Sequence, residues 1–171
     1  GRVIAIRRAR TADAEAVGAV TVAAWRSAYA SILPPEFLAG MSARRQGAMW
    51  RATILDGGIG HATFVAIASG EDAALGPWQP PQVIGFASGG RLRGGGRDEG
   101  EIETLYVLDD YRDQGLGRRL MRAAAAHLNA IGCRSVRLWV LRDNPSRWFY
   151  QHLGGRLVAE QRISVGGQPV V

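Results

Sequence analysis

Two glycines follow a strand near the middle of the sequence, in a pattern that suits binding of a phosphate. A strand over 101–107 leads through a polar turn to a helix that starts at about Leu116, with Gly115 and Gly117 at its start. The N–H groups of a first helical turn lack partners within the helix and carry partial positive charge, so they attract phosphate oxygens. Because glycine has no side chain, a pyrophosphate can approach this backbone closely. The pattern therefore indicates an anionic ligand.

Two common phosphate-binding motifs are excluded by the same residues. A dinucleotide fingerprint needs a third glycine at position 120, which is Leu120 here. A P-loop needs a lysine, and all 21 basic residues of this sequence are arginines. Arginine binds phosphate through two parallel hydrogen bonds, and the net charge of +6 is compatible with an anionic partner as well as with a solvated surface.

Length and composition restrict the class of protein. With 171 residues, 47% hydrophobic and 21% charged, we expect a globular protein with a single domain over residues 1–171. We expect no membrane segment, because no apolar run approaches the ~20 residues needed to cross a bilayer. No signal peptide is expected in residues 1–10, and the lone Cys133 indicates a reducing, cytoplasmic setting. His61, His127 and His152 lack metal-ligand spacing, so we assign no metal.

Hydrophobic periodicity predicts that strands and helices share the chain. Strands are predicted at 3–8, 61–68, 83–93, 99–108, 135–141, 156–165 and 168–171, and helices at 12–29, 42–50, 116–131 and 145–153. Pro34-Pro35 is expected to end the first helical segment. The glycines at 94–96 predict an antiparallel hairpin, whereas the later strand–helix–strand order requires parallel pairing. The sequence therefore predicts an α/β fold.

Two segments carry a resemblance to a known family. Leu105-Tyr106-Val107, followed by Arg112-x-x-Gly115-x-Gly117 at the start of an amphipathic helix, resembles the coenzyme A signature of the GCN5-related N-acetyltransferase (GNAT) family. Residues 143–155 resemble the family's Asn…Phe-Tyr…Leu-Gly segment. The resemblance covers essentially the whole chain in element order, and residues 24–34 are similar to one bacterial branch.

The resemblance implies both a fold and an activity. The fold is a central, twisted, mixed but mostly antiparallel sheet of about six to seven strands, flanked by about four helices. Its fourth strand bulges and splays from the fifth, which opens a cleft. The implied activity is transfer of acetyl from acetyl-CoA to a primary amine, by direct attack in a ternary complex.

The same resemblance implies the cofactor-binding residues. Backbone groups of Leu105, Tyr106 and Val107 would pair with the pantetheine arm and the acetyl carbonyl. The pyrophosphate would be held by Arg112, Asp113, Gln114, Gly115, Leu116, Gly117 and Arg118. Asn144 would contact the pantetheine, although it stands six residues before Tyr150 where many members have seven.

Amide formation from a thioester needs a neutral amine, a stabilised oxyanion and a protonated leaving thiolate. Glu101 matches the position of the catalytic glutamate in the histone-acetylating branch. We therefore expect Glu101 to act as base, directly or through water, with Glu103 as the alternative. Regular alternation puts both on one face of the strand, unless the expected bulge changes this. Tyr150 is expected to protonate the thiolate, and the backbone N–H near Val107 to stabilise the oxyanion.

The acceptor is not encoded by a transferable motif. Trp25 and Tyr29 are candidate walls of its pocket, although aromatic residues at helical spacing also form cores. A polyamine or other small amine, an aminoglycoside, an amino acid and a protein N-terminus all remain open. We expect no nucleic-acid partner, and the resemblance implies a homodimer. The chain ends early for the family's last strand, so we expect that a C-terminal piece is missing.

Two other functions are compatible with this sequence. One is a sensor that binds acetyl-CoA without turnover. The other is a basic nucleic-acid-binding module built around Arg91, Arg93 and Arg97, which no recognised motif accompanies.

Overall fold

The computed structural model describes residues 2–58, 60–70, 80–138, 163–165 and 168–170. They belong to two compact units, which are treated separately below. The first comprises Gly1–Ala24 and Ser42–Leu138, and the second comprises Trp25–Met41 and Trp139–Val171.

The first unit contains a five-stranded sheet with the strands in sequence order. The strands are β1 Val3–Arg8, β2 Ala62–Ser69, β3 Gln82–Arg91, β4 Glu99–Val107 and β5 Ser135–Leu138. The first three pairings are antiparallel and the last, between β4 and β5, is parallel. The predicted α/β class with a mixed, mostly antiparallel sheet is therefore confirmed.

Four α-helices lie within the described residues. They are α1 Ala14–Ala28, α2 Pro35–Ala39, α3 Ala43–Asp56 and α4 Leu116–Ala130. A 3₁₀ turn over Thr11–Asp13 precedes α1, and Asp13 fixes it by accepting a hydrogen bond from the Arg10 backbone at 2.7 Å. Ser42 caps α3 by accepting a hydrogen bond from the Arg45 N–H at 3.2 Å.

The side of the sheet that faces α4 is an apolar core. Leu116, Leu120, Ala124 and Leu128 recur every four residues of α4, and each is at most 2% exposed. They pack with Ile102 of β4 and with residues of β2 and β3. A four-residue repeat places side chains on one stripe of a helix, so this stripe fixes α4 on the sheet.

The opposite side of the sheet carries a second core, formed with α1 and α3. Phe86 of β3 is fully buried there with Val17 and Val20 of α1. Trp50 of α3 packs edge-on against Phe86, with ring centroids 4.9 Å apart, and its indole N–H donates to Thr21 Oγ1 at 3.0 Å. This aromatic contact attaches α3 to the sheet.

The second unit is described in two segments. In one, Tyr29, Leu33 and Leu38 form a small buried cluster, and Arg26 donates from Nε to the Leu38 carbonyl at 3.0 Å. In the other, β6 Ile163–Val165 and β7 Gln168–Val170 pair antiparallel.

Several sequence predictions differ from the structure. Helix α1 ends at Ala28, before Pro34-Pro35, but Pro35 begins the short helix α2, which was not predicted, at a position where a missing N–H costs nothing. The helix predicted to stop at residue 50 continues to Asp56. The described strands form one sheet of five and a separate pair, rather than one sheet of six or seven. The helix expected at 145–153 lies outside the described residues.

Candidate functional site

The segment between β4 and α4 has the geometry of an anion-binding turn. A 3₁₀ turn at Asp109–Tyr111 is followed by two left-handed residues, Asp113 with φ 62° and Gly115 with φ 75°. Gly115 is the N-cap of α4 and has no side chain to satisfy the first-turn N–H groups. A Cβ added at Gly115 would meet no atom within 4 Å, so space is open beside this backbone. These features fit a diphosphate at the start of the helix.

Three arginines surround this turn. Arg112 pairs with Asp109, with Nε and Oδ1 2.9 Å apart. Arg119 donates to the Ile4 carbonyl at 3.1 Å, whereas Arg118 is exposed. Asp113 and Gln114 are exposed on the same turn, and Leu116 is anchored in the core below it. The backbone and Arg118 therefore face solvent, while the buried leucine holds the turn in place.

The three residues expected to contact the pantetheine end β4. Leu105 and Val107 lie against the α4 core, and Tyr106 packs edge-on against Phe86 with ring centroids 5.5 Å apart. Parallel pairing to β5 extends along β4 as far as Ile102, which lies opposite Leu138, the last described residue of β5. The splay expected beyond this point therefore falls at the edge of the described residues.

A β-bulge separates the two candidate catalytic carboxylates. Ser88 of β3 pairs with Thr104 and the next residue, Gly89, pairs with Ile102, so Glu103 is the extra residue of β4. The Thr104 hydroxyl hydrogen-bonds Ser88, which faces away from α4, at 2.6 Å. The bulge thus allows Glu103 and Thr104 to point to the same side of the sheet.

Glu103 contacts a histidine on that side. Its Oε2 lies 3.3 Å from Nε2 of His61, which immediately precedes β2. The His61 side chain is 9% exposed and that of Glu103 is 36% exposed. An ionised carboxylate only accepts hydrogen bonds, so Nε2 must carry the proton in this contact.

The pKa values of the two carboxyls move in opposite directions. Burial raises the pKa of Glu101, and the negative charge of Glu103 raises it further, against a smaller opposing effect of Arg93. The hydrogen bond from His61 lowers the pKa of Glu103, and this effect outweighs partial burial. Arg93 lowers the pKa of Glu103 as well.

Glu103 and His61 line an open pocket of ≈ 420 Å³ between the end of α3 and the ends of β3 and β4. We call it the α3–β4 pocket; its other lining residues are Ala52, Thr53, Asp56, Gly57, Gly90, Arg91 and Arg93. Its volume lies in the range of small-molecule sites, roughly 300–1,000 Å³. A second open pocket of ≈ 420 Å³ adjoins it around Asp56, Gly57 and His61.

The remaining predicted site residues lie elsewhere. Tyr150 and Asn144 fall outside the described residues. Trp25 and Tyr29 belong to the second unit, where their rings contact edge-on with centroids 4.8 Å apart. Tyr29 is buried in the small cluster with Leu33 and Leu38, which is the packing expected of a core aromatic. A role for either residue in acceptor binding stays a prediction.

His61 was missed by sequence reasoning. Histidines were considered only for metal spacing, and nothing local to His61 points to Glu103, 42 residues away. The contact depends on the register of three consecutive antiparallel strands and on two register shifts, at Ala66/Ile67 and at Ser88/Gly89. The only signal for this contact in the sequence is a histidine just before one strand and a carboxylate two strands later, and this signal is weak.

Metal and thiol chemistry find no support in the described part of the chain. Among those residues, no group of three or more His, Cys, Asp or Glu side chains is placed to hold a metal ion. Cys133 is buried in the α4 core. Within the same ranges, no helix has both the length and the apolar character that a bilayer span requires.

The mixed sheet with a glycine turn that leads from β4 into α4 matches one family of proteins in three comparisons. The profile of the acetyltransferase (GNAT) family matches residues 25–154. An uncharacterized N-acetyltransferase of Bacillus subtilis (strain 168), YuaI, is 30% identical over 165 residues, which cover 96% of this chain and 87% of the relative.

Solved structures share the fold. The PaiA N-acetyltransferase of Thermoplasma acidophilum, in complex with coenzyme A, superposes with a TM-score of 0.69 at 19% identity, covering 98% of this chain and 96% of that one. The aminoglycoside N-acetyltransferase AAC(6')-Iy, in complex with CoA, gives a TM-score of 0.65 at 19% identity, covering 94% of this chain and 95% of that one.

The chain belongs to the GNAT acetyltransferase family. It is therefore an acyltransferase, and acetyl-CoA is the co-substrate of its family. This identification confirms the resemblance found in the sequence.

Proposed function

We propose that this protein transfers the acetyl group of acetyl-CoA to a small primary amine that enters the α3–β4 pocket. The observation that supports this most directly is the pair of carboxylates, Glu101 and Glu103, on the strand that leads into the anion-binding turn. Acetyl-CoA supplies an activated acetyl thioester when bound. The rest of the chemistry belongs to residues of this chain.

The turn from Arg112 to Arg118 holds the diphosphate. Backbone N–H groups at the start of α4 and the exposed Arg118 supply positive charge there. Leu105, Tyr106 and Val107 offer backbone groups along the edge of β4 to the pantetheine arm, and Asn144 is the further residue proposed to contact it. The left-handed Gly115 keeps side-chain atoms out of the phosphate position.

Glu101 removes the proton from the acceptor. An alkylammonium has a pKa of ~10 and is almost fully charged at neutral pH, so its nitrogen must lose a proton before attack. Because burial and Glu103 raise the pKa of Glu101, this carboxylate is a better proton acceptor than an ordinary glutamate. Glu103, or a water held between the two, is the alternative base.

Bond exchange then involves two other groups. The nitrogen–carbon bond forms as the carbon–sulfur bond breaks, and Tyr150 donates its phenolic proton to the departing thiolate. The nitrogen then loses its second proton, which restores the phenol of Tyr150. A backbone N–H near Val107 hydrogen-bonds the carbonyl oxygen as negative charge develops on it. One well-aimed donor of this kind contributes about 3 kcal/mol.

The pocket favours a small and cationic acceptor. Two carboxylates and two arginines line it; Glu103 and Asp56 attract an ammonium group, while Arg91 is bound to the Ile131 carbonyl and Arg93 is exposed in the turn after β3. The pocket's volume suits a small molecule rather than a folded protein. The structural neighbour AAC(6')-Iy is an aminoglycoside N-acetyltransferase, which supports this class of acceptor. Trp25 and Tyr29 are proposed as further acceptor contacts.

A thiol-release assay tests the proposal. Purified protein is incubated with acetyl-CoA and, in turn, spermidine, kanamycin, L-alanine and a tripeptide with a free N-terminus. Release of free CoA thiol that depends on one of the first two amines is expected. Turnover of the peptide alone would overturn the small-amine part of the proposal. Binding of acetyl-CoA without thiol release would favour a sensor instead.

We also propose a cytoplasmic protein, because its buried Cys133 is unpaired and such thiols belong to reducing compartments. The homodimer remains a proposal that light scattering of the purified protein tests.

A further inference from the structure

The two carboxylates of β4 differ in one contact. Glu103 accepts a hydrogen bond from Nε2 of His61, with the two atoms 3.3 Å apart. Glu103 is also the extra residue of the bulge in β4, and its side chain reaches the residue that immediately precedes β2. Arg93, which is exposed in the turn after β3, acts on both carboxylates in the same direction. His61 is therefore the neighbour that distinguishes them.

The surrounding backbone holds the imidazole in place. A Cβ at Gly57, just after α3, would lie 2.9 Å from Nδ1 and 3.1 Å from Cγ of His61. A Cβ at Gly90 would lie 3.4 Å from the His61 Cα and 3.6 Å from its Cδ2. Glycine at these two positions leaves room for the imidazole ring. The His61 side chain is 9% exposed. A ring enclosed in this way has little freedom to leave Glu103.

Two neighbouring carboxylates resist carrying two negative charges at once, so a proton shared by the pair settles on one of them. A donor fixed on Glu103 favours charge on Glu103. The proton taken from an incoming ammonium then goes to Glu101. The contact from His61 thus decides which carboxylate stays charged and which one exchanges protons.

We propose that His61 is a positioning residue, which keeps Glu103 as the anion that attracts the acceptor's ammonium group and leaves Glu101 as the proton acceptor. This inference rests on the proposed function. His61 lines the pocket, but its ring is held against Glu103, and it acts on the reaction through Glu103.

Other charged groups face the same pocket and do not replace His61. Arg91, at the end of β3, directs its guanidinium to the Ile131 carbonyl at 2.8 Å. Asp56 from the last turn of α3 adds negative charge to the pocket and donates no proton to Glu103 when ionised. Arg93 lowers the pKa of both carboxyls and so leaves their order unchanged.

The test measures the two carboxyl titrations directly. Protein labelled with ¹³C at the glutamate side-chain carboxyls is titrated by NMR without acetyl-CoA or amine, and the signals are assigned with Glu101→Gln and Glu103→Gln. In the wild type, we expect Glu103 to titrate below Glu101. In His61→Phe, which removes the donor, the pKa of Glu103 is expected to rise and the gap between the two titrations to shrink.

His61→Gln is the matched control, because its amide N–H can reach the position of Nε2 and restore the wild-type order. An unchanged Glu103 titration in His61→Phe would overturn the proposal. If His61→Phe does not fold, the wild type alone still decides, because a Glu103 that titrates at or above Glu101 contradicts the role of His61. The titration uses no substrate, so its failure leaves acetyl transfer intact, whereas absent thiol release would remove the proposed function itself.

Discussion

Strand β4 presents different kinds of side chain to the two sides of the central sheet. On the α4 side, Ile102 of β4 is 5% exposed and packs with the leucine stripe of the helix. On the side of α3, the residues next to it, Glu101 and Glu103, are only partly buried and interact with each other, and Glu103 also contacts His61. Around Ile102, therefore, one face of β4 contributes to the apolar core and the other carries the proposed chemistry.

The comparison shows how one strand serves both purposes. Alternation along β4 sends successive side chains to opposite sides, and the bulge at Glu103 adds a residue to the polar side without shifting Leu105 and Val107 out of the core. A bulge next to a functional site that redirects a side chain is a recurrent device in sheets. Substitutions on the two sides should accordingly affect different measurements.

The largest effect is expected on the apolar side. Leu128→Ala removes a fully buried side chain and should lower the free energy of unfolding by about 2–5 kcal/mol. Leu55→Ala makes the same change at a residue that is 63% exposed and should cost less than about 0.5 kcal/mol. Urea unfolding measures both. A small loss in Leu128→Ala would mean that α4 is not held by this stripe.

On the polar side, we expect a smaller free-energy change, which affects the activation barrier of the reaction rather than folding. Glu101→Gln should lower kcat/KM for the amine by about 100-fold or more, since it removes the proposed base. The decline of wild-type kcat/KM as pH falls through the raised pKa of Glu101 should disappear in the variant. Glu99→Gln, at the start of β4, should change kcat/KM by less than about twofold because it removes no acid or base of the reaction. Steady-state rates between pH 5 and 9 provide the measurement, and an equal loss in both variants would refute the assignment.

The smallest expected effect is on the unfolding temperature, which should change in opposite directions when each of the two carboxylates is replaced. Because the folded state raises the pKa of Glu101, its ionised form costs stability above that pKa, and Glu101→Gln should unfold at a higher temperature at pH 7. The lowered pKa of Glu103 adds stability that is lost as pH falls through it, so Glu103→Gln should unfold at a lower temperature. Each shift should be about 4 °C or less.

Both differences should vanish at a pH below the two folded-state pKa values, where wild-type carboxyls are protonated. Calorimetric melting at pH 7 and at low pH checks this. Shifts of the same sign for the two variants would contradict the opposite environments of Glu101 and Glu103.

The helix on the apolar side of the sheet and the anion-binding turn before it were predictable from the sequence. The amphipathic pattern of α4 and the Gly115-x-Gly117 pattern are local, and they predicted this helix with both ends within a residue. The short helix α2 was not predicted because proline was taken as a stop, although it is also suited to a first helical turn.

The polar side was only partly predictable. Glu101 and Glu103 were identified by position, but their different environments depend on a histidine immediately before β2, whose contact with Glu103 is set by strand register. Register is a property of pairing between distant segments, and periodicity within one segment does not determine it.

The central claim, that the turn before α4 holds acetyl-CoA, is tested most directly by calorimetric titration. Gly115→Asp places a negative side chain at a left-handed position where the diphosphate is proposed to bind. Gly132→Asp makes the same change at φ 96°, beyond the other end of α4, also with no atom within 4 Å of the added Cβ. Both substitutions place an aspartate at a left-handed backbone position with open space around the added Cβ, and they lie at opposite ends of α4.

We predict that wild type and Gly132→Asp bind acetyl-CoA with similar affinity, and that Gly115→Asp loses binding by at least about tenfold, or about 1.4 kcal/mol. Equal binding by all three proteins, or no binding by the wild type, would contradict the account.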